Sequence, residues 1–167
     1  LIALTAGGTA SFYAYTIYLQ KFLPNTSGFD RVTASAIMTV ALLIMLFIQP
    51  FPGRVWDGVG RRPMMIFFGV GATLFTYPIF TALETTDSVA TAFLLALASL
   101  VIVTGYTSIN AIIKAELFPA DIRALGVALP YAIANAAFGG TAEYVALYLK
   151  GIGHERWFYI YISLLSA

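Results

Sequence analysis

Polar side chains recur at helical spacing inside stretches that are otherwise apolar, and these are the residues with chemistry to offer. Thr9, Tyr13, Thr16 and Gln20 follow one another at +4, +3 and +4, and Tyr106, Asn110 and Lys114 at +4, so each set occupies one face of a helix. Tyr131, Asn135 and Glu143 lie near a third such face, with Gly139 between them. Hydroxyls, amides and an ammonium group on converging faces suit a small organic anion: neutral donors orient it and a cation holds its charge. Polar groups in hydrocarbon are costly unless they face protein or a water-filled cavity. Tyr13, Tyr106, Asn110, Lys114, Tyr131 and Asn135 are therefore candidate substrate-binding residues.

Structural readings stand beside these roles. Tyr and Asn also join neighbouring helices by hydrogen bonds, and Lys114 sits where it can snorkel to an interface or pair with Glu116. Glu143 follows nineteen uncharged residues. It is a candidate proton carrier or outer gate, or else one half of a structural ion pair with Lys150 or Lys21. Ala128, Ala132, Ala136 and Gly140 form a ridge of small residues at +4, expected to let their helix approach a neighbour closely.

A second kind of chemistry is concentrated between Gly53 and Pro63, where Asp57, three arginines (Arg54, Arg61, Arg62) and three glycines share one short connection. The glycines permit a tight turn, Asp57 is placed to accept hydrogen bonds from a helix N-terminus, and guanidinium groups pair with carboxylates on neighbouring helix ends. A plain positively charged anchoring loop is the alternative. The run from Lys114 through Glu116 and Phe118-Pro119 to Arg123 is the other charged connection. If successive spans alternate, both connections lie on one side of the membrane, and Glu116 is expected to pair with Arg61 or Arg62. Asp57, Arg61, Arg62, Glu116 and Arg123 are thus gate candidates.

Other chemistries find no support. The chain has no Cys and a single His, His154, without a second ligand at metal spacing, so no metal or other cofactor is expected. No metalloprotease, serine-hydrolase or phosphate-loop pattern occurs, which argues against an enzyme. A net charge of +1 provides no basic surface for nucleic acid. Asn25-Thr26-Ser27 fits a glycosylation sequon and equally a hairpin turn.

The elements that must position these groups are membrane helices. Of the 167 residues 60% are hydrophobic and 10% charged, against roughly 25% charged in soluble domains, and the mean hydropathy is +0.86. No charge occurs in Leu1–Gln20, Val32–Gly53, Pro63–Leu83, Ser88–Ile113 or Ala124–Ala142, and about 20 apolar residues cross a bilayer as a helix. Segments such as Val40–Gln49 and Ala92–Val103 are apolar all round, which places them in lipid, and alternating barrel strands are absent. Spans are expected at about 1–23, 32–52, 63–83, 88–115 and 123–149, with a partial one at 156–167. The last is too short to cross and the first begins without Met at an already apolar Leu1, so both ends are expected to be cut. Turn and cap chemistry separates the spans: Pro24 to Gly28, the Asp87-Ser88 cap, and Pro63 in a first helical turn. Pro78 and Pro130 fall inside spans, where membrane helices accommodate them. Basic residues divide five against four between the two sides and do not set the orientation.

Gly53…Asp57…Gly60-Arg61-Arg62 resembles the signature loop that major facilitator transporters carry between helices two and three and again between eight and nine. Lys114 to Gly126 is similar to the segment after helix ten in the sugar-porter and metabolite:proton symporter branches. Phe12 to Leu23 and Phe138 to Leu147 extend the resemblance within the latter branch, and together these runs cover essentially the whole chain. The resemblance implies an all-α polytopic membrane helix bundle, the carboxy-terminal six-helix half of a major facilitator fold with its last helix truncated. The spans would be helices seven to twelve, connections 53–62 and 114–123 cytoplasmic, and Asp57 close to a helix N-terminus of the missing amino-terminal half. The implied activity is proton-coupled symport of a small dicarboxylate such as α-ketoglutarate across a bacterial inner membrane. The alternatives are another organic anion or a zwitterion (shikimate, citrate, proline or betaine) and, from a different class, a membrane-embedded enzyme or sensor.

Overall fold

The computed structural model describes residues 1–51 and 60–167, and all regular structure among them is helical. The chain opens with α1, Ile2–Tyr13, which passes through a π-helical segment, Ala14–Tyr18, into α2, Leu19–Asn25, as one rod. Gly28, at φ 81°, turns the chain. The Asp30 side chain then accepts from the Val32 and Thr33 backbone N–H groups at 3.0 Å and starts α3, Arg31–Ile48. Hydrogen bonding from Thr33, reinforced by Val32, holds the Asp30 carboxyl below its usual range.

Pro63 occupies the first turn of α4, Arg62–Thr85, where a missing N–H costs nothing. Ser88 caps α5, Val89–Thr107, accepting from Thr91 N at 3.4 Å. Beyond it come α6, Asn110–Glu116; α7, Arg123–Ala134; a second π segment, Asn135–Gly139; α8, Gly140–Gly151; and α9, Glu155–Ser166. Arg31–Ile48, Arg62–Thr85, Val89–Glu116 and Arg123–Gly151 are each long and apolar enough to cross a membrane.

α1 runs through the middle, against α5, α7, the second π segment, α8 and α9, while α4 packs between α5 and α9, and α3 on α5. Aromatic rings fill the interior where α4 and α9 meet the first rod: Tyr18 and Phe158 centroids are 4.9 Å apart, as are Phe80 and Tyr159. Two pairs of buried hydroxyls meet, Tyr15 with Thr76, and Ser11 with Ser166 at 2.7 Å, while those of Thr73, Thr81 and Ser163 have no partner among the described residues. The outward faces of α3 and α4 carry exposed Leu43, Leu46 and Phe47, and Ile66, Phe67, Val70 and Phe75, as suits helices against hydrocarbon.

Three features depart from the sequence reading. Spans one and five contain π turns, and span four stops at Thr107 and restarts at Asn110. The ridge Ala128, Ala132, Ala136 and Gly140 does not pack within this chain; it is exposed, and Ala134, Gly139, Ala142 and Ala146 make the close contacts instead. Both sets repeat at small-residue spacing, and the pattern alone does not tell which one meets a neighbour.

One end of the bundle is cross-linked by acids. Glu84 accepts from Tyr159 at 2.7 Å and Arg156 at 2.9 Å. Glu155 accepts from Tyr18 at 2.6 Å and Thr26 at 2.9 Å, with Lys150 3.7 Å away.

Candidate functional site

The break between α5 and α6 builds one wall. The Thr104 carbonyl accepts both the Ser108 backbone N–H at 3.1 Å and Ser108 Oγ at 2.7 Å, and the next residue, Ile109, leaves helical geometry at φ −126°, ψ −9°. Asn110 Nδ2 donates to the Thr107 carbonyl at 3.0 Å and bridges the gap. The expected single face through Tyr106, Asn110 and Lys114 is thus interrupted, yet the three still meet. Lys114 folds back along the break, and its Nζ donates to the Tyr106 hydroxyl at 2.9 Å and to Asn110 Oδ1 at 3.2 Å. Nζ also lies 4.3 Å from the centroid of the Tyr131 ring. Lys114 is 2% exposed and makes no ion pair with a described acid. Among the described residues only neutral groups surround this desolvated ammonium, an arrangement that an anion beside it would balance.

Beside it opens a chamber of about 210 Å³, lined by Thr9, Phe12 and Tyr13 of α1, Tyr106 and Thr107 of α5, Asn110, Tyr131 and Asn135. At about 30 Å³ per water that is room for about seven waters, the scale of a small organic molecule. Five of the six residues read as substrate-binding candidates line it, and the sixth, Lys114, is hydrogen-bonded to two of those five. Two glycines permit the approach: a Cβ on Gly8 would stand 2.2 Å from the Tyr106 ring, and one on Gly139 2.4 Å from Thr9 Cγ2. Sequence reasoning did not select Phe12 and Thr107; nothing in their type or spacing marks them.

Other members of the stripes are turned away. A π turn holds an extra residue and rotates the helix beyond it. After Ala14–Tyr18 begins, Thr16 donates to the Phe12 carbonyl at 2.6 Å and Gln20 lines a separate recess with Lys21 and Arg31. After Asn135–Gly139, Glu143 lies outside the chamber and pairs with Lys21.

Of the gate candidates, Arg61 pairs with Glu116 across the start of α4 and the end of α6, with both side chains about half exposed. Arg123 donates from Nε to the Phe118 carbonyl at 3.2 Å, and Arg62 is exposed and in no ion pair with a described residue. Asp57 lies outside the described residues.

Residues 1–167 match the sugar (and other) transporter family. The chain is 51% identical to the α-ketoglutarate permease of Escherichia coli strain K12 over all 167 residues, which cover 39% of that protein. It is 32% identical over 147 residues to a citrate-proton symporter of Klebsiella pneumoniae, covering 84% of this chain and 31% of the relative. It is 30% identical over 149 residues to an ectoine/proline transporter of Corynebacterium glutamicum, covering 89% and 29%. The chain thus spans well under half the length of each of these relatives. No solved structure gives a significant match.

Proposed function

Because the chain belongs to the sugar (and other) transporter family of the major facilitator superfamily, we propose that it supplies one wall of a proton-coupled symporter that carries a small dicarboxylate such as α-ketoglutarate by alternating access. Membership makes it part of a multi-pass protein of the bacterial inner membrane. The observation that carries the substrate class is Lys114, buried beside a small chamber with two neutral acceptors and an aromatic face around its ammonium group. A carboxylate entering the chamber supplies the missing charge, while Tyr13, Tyr131 and Asn135 offer hydroxyl and amide groups to the remainder of the molecule.

A zwitterion such as betaine is the second reading, because the rings of Phe12 and Tyr13 also line the chamber; the lysine charge over Tyr131 is what favours an anion over it. Citrate and shikimate remain the competing anions. In this reading Arg61 and Glu116 are the inner latch, Glu143 with Lys21 ties α8 to α2 at the opposite end, and an amino-terminal half closes the other side of the chamber.

The decisive experiment is counterflow of labelled α-ketoglutarate by the full-length protein in liposomes, with citrate, shikimate, proline and betaine as competitors and an imposed proton gradient. The reading expects α-ketoglutarate to exchange and to accumulate with inward proton flow. Exchange of betaine without α-ketoglutarate overturns it.

A further inference from the structure

Between α4 and α5, sharing no lining residue with the chamber, lies a cleft of about 850 Å³ whose lining is apolar throughout. Gly71, among its lining residues, lets α4 lie close on α5: a Cβ there would stand 3.1 Å from Ile102 Cγ2. Phe67 and Phe75 form exposed rims, and Leu95 and Ala98 the facing wall. Along α4 the lining runs from Pro63 to Ile79, about 24 Å at the helical rise. One leaflet contributes about 15 Å of hydrocarbon. A chain lying along the helices therefore fits in the cleft at full length. A partner helix would look for hydrogen-bonding groups at its contact, and no side chain that lines the cleft offers one.

Charge marks one end of this cleft. Arg62, the first residue of α4, adjoins the lining residue Pro63 and sits one turn before Ile66 on the same side of the helix. It is exposed and forms no ion pair with a described residue, whereas Arg61 beside it is engaged by Glu116. A planar guanidinium at the mouth of an apolar cleft matches a phosphate carried on an acyl chain.

We propose that this cleft binds an anionic phospholipid, one acyl chain lying between α4 and α5 and the headgroup phosphate at Arg62. The test is native mass spectrometry of the full-length transporter, titrated with phosphatidylglycerol and with phosphatidylcholine of the same chains. The wild type retains phosphatidylglycerol in preference. Arg62→Gln lowers that retention about fivefold, the worth of one arginine at an anionic surface, and leaves phosphatidylcholine unchanged, while Arg62→Lys keeps most of it. Ala98→Trp, which fills the cleft from an exposed position, lowers retention of both lipids. Wild-type retention of phosphatidylglycerol by Arg62→Gln overturns the proposal, and that variant decides the matter whether or not Ala98→Trp folds. Undiminished binding to a folded Ala98→Trp overturns it equally.

Discussion

Lys114 donates to a phenol and an amide and rests against an aromatic ring, so in this chain its charge has no carboxylate among the described residues to answer it. Removing the ammonium by Lys114→Ala removes a charged hydrogen bond to the proposed anion, worth about 1.5–3 kcal/mol. The expected outcome is a Michaelis constant raised about ten- to hundredfold, with the folded protein retained, in uptake by the full-length transporter. An unchanged constant reassigns Lys114 to packing. Tyr106→Phe, which deletes one acceptor while keeping the ring, should have a smaller effect in the same direction. At this scale much was legible in the sequence, because polar residues inside apolar runs are few and their spacing groups them. Thr16 and Gln20 leave their stripe, and Glu143 the face of Tyr131 and Asn135, for one reason: each lies within or beyond a π turn, where a stripe drawn at 3.6 residues per turn loses its register; the ion pair of Glu143 with Lys21 was one of its expected alternatives.

The helical elements are set by charge-free lengths and by caps such as Asp30 and Ser88. The restart at Asn110 is not, since neither Pro nor Gly marks it and a serine hydroxyl bonded to a backbone carbonyl is a weak signal. That restart places Lys114 and Glu116 on the same seven-residue helix, one at the chamber and the other at Arg61. Because the Arg61–Glu116 pair is exposed, it contributes about 1 kcal/mol or less to stability. Glu116→Arg should therefore slow transport cycling with little loss of folded protein, and Arg61→Glu in the same chain should restore part of the rate. A double reversal that recovers nothing rejects the latch. Close approach at Gly139 makes a separate claim. Gly139→Ala should cost about 1–3 kcal/mol by overpacking against Thr9 and the Tyr13 ring, measured as a lower melting temperature of the full-length protein, and Thr9→Ser, which deletes the methyl in the shortest contact, should recover part of it.

As a whole the bundle presents its chamber from one side only, and the exposed small-residue ridge on α7 and α8 adds to the surface without a partner among the described residues. Liposomes containing residues 1–167 alone are expected to show no uptake of α-ketoglutarate, because a second bundle is needed to alternate access. Uptake by that fragment would reject the half-transporter reading. The broad architecture was readable from hydropathy; which faces meet and which stay bare was not, since small residues and apolar residues line both kinds of surface.

The acids at one end of the bundle have a mechanical consequence. Glu84, Glu143 and Glu155 stitch α2, α4, α8 and α9 together there with their tyrosine, lysine and arginine partners, while at the far end the described connections carry one exposed ion pair. A set of rods clamped at one end and lightly latched at the other bends as a cantilever, with displacement growing along its length. The chamber, part-way along, is then expected to move less than the tips of α4 and α6.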